Sequence, residues 1–324
     1  MSSCLTRLRI VDNATMTLHI ILGAGGAIGT PLAYELLQKK LPLRTVSRSG
    51  AGPAGADTRR ADLNDAGQVL DAVQEGSTVY LLAGLAYNRR AWAEQWPRIM
   101  RNVVSACESK QARLIFFDNV YLYGAVTGPM TEETPIRPTS RKGEIRAAIA
   151  GHLQNEMSAG RITASIARAA DFYGPYSDKN SVPTILVFQR LAAGKSAQVL
   201  VSADTKHSYS YTLDCAKALW LLATADDTFG QVWHLPTARP PLTGREFVEL
   251  TARVVGVSPR MTVMPRWMLQ AAGLVSPLMR ELAEMLYQND HDYVFDSSKF
   301  ERRFAFVPTP YEDGIRASTV KNTT

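Results

Sequence analysis

The segment Leu18-His19-Ile20-Ile21-Leu22-Gly23-Ala24-Gly25-Gly26-Ala27-Ile28-Gly29 decides how the chain is read. Its first five residues form a short apolar run, as a parallel strand buried on both faces should. The glycines that follow allow a tight turn, because backbone without a Cβ reaches dihedrals closed to other residues. Residues 28–40 then carry Ile28, Leu32 and Leu36 at helical spacing. Lys39 and Lys40 close that stretch, where positive charge suits the end of a helix dipole. The segment reads as strand, turn, helix.

Working outward, the alternation continues. Residues 43–46 read as a second strand, 68–73 as helix, 78–83 as a buried strand and 92–108 as a long helix. Residues 113–117 read as strand, 145–157 as helix and 162–167 as strand. Strands alternating with helices imply a parallel sheet with right-handed crossovers. The expected fold is therefore α/β, a Rossmann-type doubly wound parallel sheet with a smaller C-terminal substrate lobe. Residues 1–170 should form the nucleotide-binding domain, with 1–16 an irregular extension. Residues 171–324 should form mostly the lobe, with some segments returning to the sheet.

A glycine-rich turn opening the first helix is where a pyrophosphate would sit, facing unpaired N–H groups and the positive helix end. Gly23, Gly25, Gly26, Ala27, Ile28 and Gly29 are the expected dinucleotide contacts. An NAD site usually carries Asp or Glu after the second strand, about 20 residues beyond the glycines. Here that stretch reads Thr45-Val46-Ser47-Arg48-Ser49. Arg48 can pair with a 2′-phosphate, which favours NADP over NAD. Asp62 falls where a carboxylate could accept from the adenine amino group, with Leu63 beside it; alternatively Asp62 caps the next helix. Ala83 and Gly84 end a strand with small residues that leave room for the cofactor ribose.

Bulk properties narrow the function classes. The chain has 324 residues and a formal charge of +6, with Lys and Arg scattered rather than clustered. Nucleic acid is not an expected partner. The most apolar long stretch, 263–287, is broken by Arg266, Arg280, Glu281 and Glu284, so no membrane span is expected. Cys4, Cys107 and Cys215 are an odd set, expected as thiols in a reducing cytoplasm, with Cys107 and Cys215 buried. His19, His152, His207, His234 and His291 lack ligand spacing, so no metal is expected.

The order of several motifs resembles an extended or atypical short-chain dehydrogenase/reductase of the NAD-dependent epimerase/dehydratase family. The motifs are Gly23-x-x-Gly26-x-x-Gly29, Asp62-Leu63, Leu122-Tyr123-Gly124, Arg168 with Tyr173-Gly174-Pro175, and Tyr211-Thr212-Leu213-Asp214. The resemblance implies hydride transfer beside a Tyr-x-x-x-Lys pair and an upstream Ser or Thr. Lys142 best matches the lysine, but Pro138 stands four residues earlier. The Ser/Thr region reads Phe117-Asp118-Asn119-Val120-Tyr121.

The expectation is that Tyr121 replaces the missing phenol, Lys142 holds the cofactor ribose and Asn119 positions the substrate. A purely structural Tyr121 is the alternative. Tyr123 matches a family tyrosine that packs the turn. Arg141, Lys142 and Arg146 could equally be the solvated start of a helix.

Where the family often has Asn, this chain has Asp171, and where it often has a diphosphate-binding Arg, it has His207. Both changes argue against a sugar nucleotide. Asp171, Tyr173, His207 and Tyr209 are the expected substrate contacts. Phe172, Tyr211, Trp267, Met268 and Met285 could complete an apolar pocket or simply pack.

The expected function is NAD(P)-dependent oxidoreductase or epimerase-like chemistry on a small hydroxyl or carbonyl compound. The alternative is a non-catalytic NADP(H)-binding redox sensor or assembly subunit. A homodimer would suit the resembled family.

Overall fold

The structure, a computed structural model, describes residues 17–319; the expected extension 1–16, with Cys4, lies outside the described residues. The chain runs β1 (His19–Leu22), α1 (Gly29–Gln38), β2 (Leu43–Ser47), β3 (Asp57–Arg60), α2 (Ala66–Ala72), β4 (Thr78–Leu81) and α3 (Arg89–Ser109). It continues through β5 (Arg113–Asp118), α4 (Arg141–Ser158) and β6 (Ala164–Arg168). One seven-stranded sheet has the order edge strand Val232–His234, then β6, β5, β4, β1, β2, β3. All its neighbours are parallel, and His19 of β1 pairs with Leu43 on one side and Thr78 on the other. The fold is the α/β doubly wound sheet expected.

Apolar side chains on both faces hold helices against the sheet. On one face, Trp96, Ile99 and Val103 of α3 pack with Ile149 and Leu153 of α4. On the other, Leu32 and Leu36 of α1 pack with Leu219 and Leu222 of the helix Thr212–Thr224. Burying each such side chain contributes roughly 1.5–3 kcal/mol. Cys107 and Cys215 are buried free thiols within these two layers, as expected.

Sheet order also places the crevice. From β1 the chain steps outward through β2 and β3, then returns to add β4, β5 and β6 on the other side. Loops diverge at the carboxyl ends of β1 and β4, where a doubly wound sheet opens to a ligand.

Beyond residue 171 the segments are smaller. Asp171–Tyr173 pairs in parallel with Tyr209–Tyr211, and Ala197–Leu200 pairs with Met261–Met264. Tyr173, Phe188, Phe247 and Tyr311 form a separate apolar cluster between them. The helix Gly244–Val255 opens on a Thr243/Glu246 capping box and ends on Gly256, whose φ of +78° suits glycine.

Two histidines are buried in neutral form. His19 is held beside the Tyr80 hydroxyl at 2.9 Å, and burial pulls its pKa down to about 4. His234 sits between the Tyr123 hydroxyl and the Asp296 carbonyl, and burial pulls it down to about 3. Unfolded histidine takes its proton near 6.5, whereas these folded imidazoles resist it, so the unfolded chain binds more protons in between. Stability should therefore fall as pH drops from about 6.5 toward 4. Unfolding at pH 5.5, followed by proton-linkage calorimetry, should take up about two protons from this pair. His19→Gln should lower that uptake by about one, and no change in uptake would contradict the assignment.

Candidate active site

The turn between β1 and α1 is set by backbone contacts. Gly23 has φ +101°, and a Cβ there would lie 2.7 Å from the Ala83 backbone at the end of β4. A Cβ on Gly29 would lie 2.6 Å from the Gly23 carbonyl and 2.8 Å from Ala24 Cα. Gly25, by contrast, faces open space. The Gly26 amide closes the turn onto the Gly23 carbonyl at 3.3 Å, and Thr30 N–H donates to Gly26 O at 3.0 Å. Among the described residues, the Ala27 and Ile28 amides have no acceptor in the chain, and Ile28 caps α1 without a side-chain bond. A helix end with free donors is a ready anion seat.

Around this turn lies a cleft of about 900 Å³. It is lined by Gly23, Gly25 and Gly26 after β1, Arg48 after β2, Asp62 and Leu63 after β3, and Ala83 and Gly84 after β4. Ala27, Ile28 and Gly29 stand behind the turn as buried residues. Arg98 of α3 also faces the cleft. Sequence reading missed it because it lies on a different crossover from Arg48. Asp62 does not cap a helix: its carboxylate accepts from the Asn64 N–H and side-chain amide, both at 3.0 Å. Asp65 caps α2 instead, accepting from Gln68 N. The Asn64 bonds chiefly hold the Asp62 carboxyl below its usual range, with Arg48 and Arg98 adding to the effect.

The expected catalytic residues lie after β5 and at the start of α4. Asn119 Oδ1 accepts from the Tyr121 N–H at 3.1 Å and so shapes the turn itself. The Tyr121 ring stacks on Trp92, with centroids 6.2 Å apart. Burial pushes its phenol well above the usual range, and the nearby Tyr87 and Asp171 add to this. Lys142 is fully buried rather than solvated. Its ammonium pairs with Glu281, bonds Glu284 Oε2 and the Glu281 carbonyl at 3.1 Å, and lies 4.6 Å from the Tyr87 ring centre. The two glutamates come from a segment about 140 residues away, so no local pattern announces them. Of the three basic residues opening α4, only Arg141 is exposed.

Arg146, 3% exposed, pairs with the fully buried Asp118 carboxylate. Arg168 also reaches Asp118, at 3.4 Å, and donates to the Tyr123 hydroxyl at 2.7 Å. That hydroxyl in turn meets His234 Nε2 at 2.8 Å, so Tyr123 is a buried network residue. Asp118 thus occupies the end of β5 with a charge already matched by two guanidiniums.

On the lobe side, Asp171 Oδ2 lies 3.1 Å from His207 Nε2. The His207 ring stacks between Tyr209 and Tyr293, at 4.6 and 4.2 Å. The structure brings Asp171, His207 and Tyr209 together, but Tyr173 is fully buried in the lobe core among Phe188, Phe247 and Tyr311. Trp267 is 70% exposed and faces solvent, which corrects that part of the apolar-pocket expectation.

Gly29→Ala should destabilise the fold by roughly 1–3 kcal/mol, because its Cβ meets backbone that cannot yield. Gly25→Ala should leave the melting temperature unchanged, since that position is open. Thermal denaturation of both variants checks this, and equal losses would contradict the turn geometry.

The model of the NAD dependent epimerase/dehydratase family matches residues 19–234. No curated protein sequence matches the chain. Among solved structures, the UDP-glucose 4-epimerase of Thermus thermophilus, in complex with NAD, is similar with a TM-score of 0.77 at 19% identity. That likeness covers 95% of this chain and 100% of the other. MoeE5 in complex with UDP-glucose and NAD has a TM-score of 0.75 at 21% identity, covering 94% of this chain and 97% of that one. The dTDP-glucose 4,6-dehydratase DesIV of Streptomyces venezuelae, with NAD and TYD bound, has a TM-score of 0.74 at 18% identity, covering 94% and 96%. At these identities the structures establish the fold. With the family model spanning two-thirds of its length, the chain belongs to the NAD-dependent epimerase/dehydratase family.

Proposed function

We propose that the chain is an NADP(H)-dependent oxidoreductase that exchanges hydride with a small hydroxyl or carbonyl compound rather than a sugar nucleotide. The observation that carries the reading is the cleft at the turn of β1. An open glycine lines a volume there that suits a dinucleotide, and the unpaired Ala27 and Ile28 amides lie directly behind it in the turn. The cofactor would supply the hydride donor or acceptor. Gly23, Gly25, Gly26, Ala27, Ile28 and Gly29 would hold its pyrophosphate through backbone alone.

Arg48 and Arg98 support the NADP preference. Ser47 at the end of β2, with Arg48 and Ser49 just after it, brings two hydroxyls and a guanidinium, and Arg98 adds a second guanidinium across the cleft. A 2′-phosphate would be matched there by charge-assisted bonds. Asp62 and Leu63 would border the adenine, and Ala83 and Gly84 would pass the ribose.

At the reacting end, Tyr121 is the proposed proton donor. Burial keeps its phenol protonated, which suits donation to a carbonyl oxygen more than proton removal from an alcohol. Asn119 holds the Tyr121 backbone. Lys142, with Glu281 and Glu284 bound to it, would face the cofactor ribose as part of an ion cluster, and its carboxylates can accept from ribose hydroxyls.

Against a sugar nucleotide stands the lobe pocket beside His207 and Tyr209. It holds about 50 Å³, and no Lys or Arg lines it. A diphosphate held at His207 would also lie beside the Asp171 carboxylate bonded to that ring. Micromolar binding of UDP-glucose in calorimetry would overturn this part.

A second reading, a cofactor-binding sensor or assembly subunit without turnover, is favoured by one observation. The Lys142 ammonium is already neutralised by two carboxylates. Two buried, unpaired thiols suit a reducing cytoplasm under either reading.

NADPH should bind more tightly than NADH in a fluorescence titration. Replacing Arg48 and Arg98 together with Ala should weaken NADPH by roughly tenfold or more while sparing NADH. Equal affinity of the two cofactors for the unmodified protein would contradict the NADP assignment. With a carbonyl substrate in hand, Tyr121→Phe should lower turnover on the order of a hundredfold without changing NADPH affinity. Full turnover in that variant would remove Tyr121 from the chemistry. Tight NADPH binding with no turnover on any carbonyl class would select the sensor.

A further inference from the structure

The lobe end of the site holds charge and hydroxyls that hydride exchange does not use. The Asp171 side chain is 30% exposed, and only its Oδ2 is engaged, by His207. Among the described residues, Oδ1 has no hydrogen-bond partner. Tyr293, stacked flat on His207 with 4° between the rings, is 4% exposed, and its hydroxyl finds no partner in bonding geometry among the described residues, with the Asp171 backbone near it. The buried Tyr287 hydroxyl is likewise unpartnered, with Ser140 and Thr139 near it but outside bonding geometry. Buried phenols without partners are costly unless a ligand or water completes them. Tyr293 stacks on the His207 ring that bonds Asp171, and both phenols feel the Asp171 charge.

The sign of the missing group follows from the charges. Asp171, Glu281 and Glu284 set three carboxylates against the Lys142 ammonium. An anionic substrate would be repelled, and a neutral donor could bond Asp171 Oδ1 but would leave the excess negative charge unmatched. An N–H⁺ group satisfies both kinds of vacancy, since it can donate to Oδ1 and to a phenol oxygen. Tyrosine faces also attract cations, and this wall already holds one: the Lys142 ammonium over Tyr87 at 4.6 Å.

We propose that this end of the site binds the protonated nitrogen of an amino alcohol or amino ketone, with Asp171 as counter-ion and Tyr287 and Tyr293 as acceptors. The inference deepens the oxidoreductase reading above and rests on it for the identity of the reacting group. Binding itself is independent of turnover, so the two can fail separately.

The test uses three compounds of nearly one shape on the full chain with saturating NADPH. They are 1-amino-2-propanol, neutral 2-butanol and anionic lactate, titrated by calorimetry at pH 7.5. The amine should bind roughly tenfold or more tightly than 2-butanol, with lactate weakest. Asp171→Asn should erase the preference while NADPH affinity stays unchanged, which reports an intact fold. Equal or tighter binding of 2-butanol or lactate, no binding of the amine, or a preference that survives Asp171→Asn would each overturn the proposal. Should NADPH fail to bind while the amine preference persists without it, the oxidoreductase reading falls and the amine site stands.

Discussion

The arrangement depends on one close approach, that of the Gly23 backbone to the end of β4. With 2.7 Å between a notional Cβ on Gly23 and the Ala83 backbone, the turn can pass there only as glycine. That passage lets α1 start directly behind the turn, with its first amides free, beside the crevice between β1 and β4. Everything placed around the cleft takes its position from the sheet order that puts β1 and β4 side by side. A side chain at Gly23 or Gly29 would push strand from helix before it touched any ligand.

The second organising element is buried charge. Asp118 lies between Arg146 and Arg168, and Lys142 lies between Glu281 and Glu284. Asp118 ends β5 and Lys142 opens α4, the stretches where the family pattern leads one to expect a Ser or Thr and the lysine of Tyr-x-x-x-Lys. Removing one member of such a buried pair strands its partner, at a cost of roughly 3–5 kcal/mol. These positions are therefore committed to structure more firmly than the motif positions suggest. Outside these clusters, Asp171 keeps Oδ1 unengaged, and the Tyr287 and Tyr293 hydroxyls lack partners in bonding geometry among the described residues.

What was legible in the sequence followed distance along the chain. Residues 18–29 announce strand, turn and helix because each element is decided by neighbours within a few positions. The strands buried on both faces were legible for the same reason. By contrast β3, Asp-Thr-Arg-Arg, is exposed at every residue and shows no alternation, so only pairing with β2 makes it a strand. The edge strand Val232–His234 is three residues long and equally silent. Arg48 could be read from its place after β2, whereas Arg98 could not, because a crossover brings it there. Asp171 and His207 each look ordinary alone. Their pairing across 36 residues gives them meaning, and Glu281 and Glu284 on Lys142 repeat that lesson at longer range.

The central claim is that the free amides of the β1–α1 turn grip a pyrophosphate. Amide hydrogen exchange over residues 23–29, with and without NADPH, tests it most directly. Strong slowing at Gly25, Ala27 and Ile28 on cofactor addition, with the core of β1 unaffected, is the expected result. Unchanged exchange at those amides in protein that demonstrably binds NADPH would contradict the account.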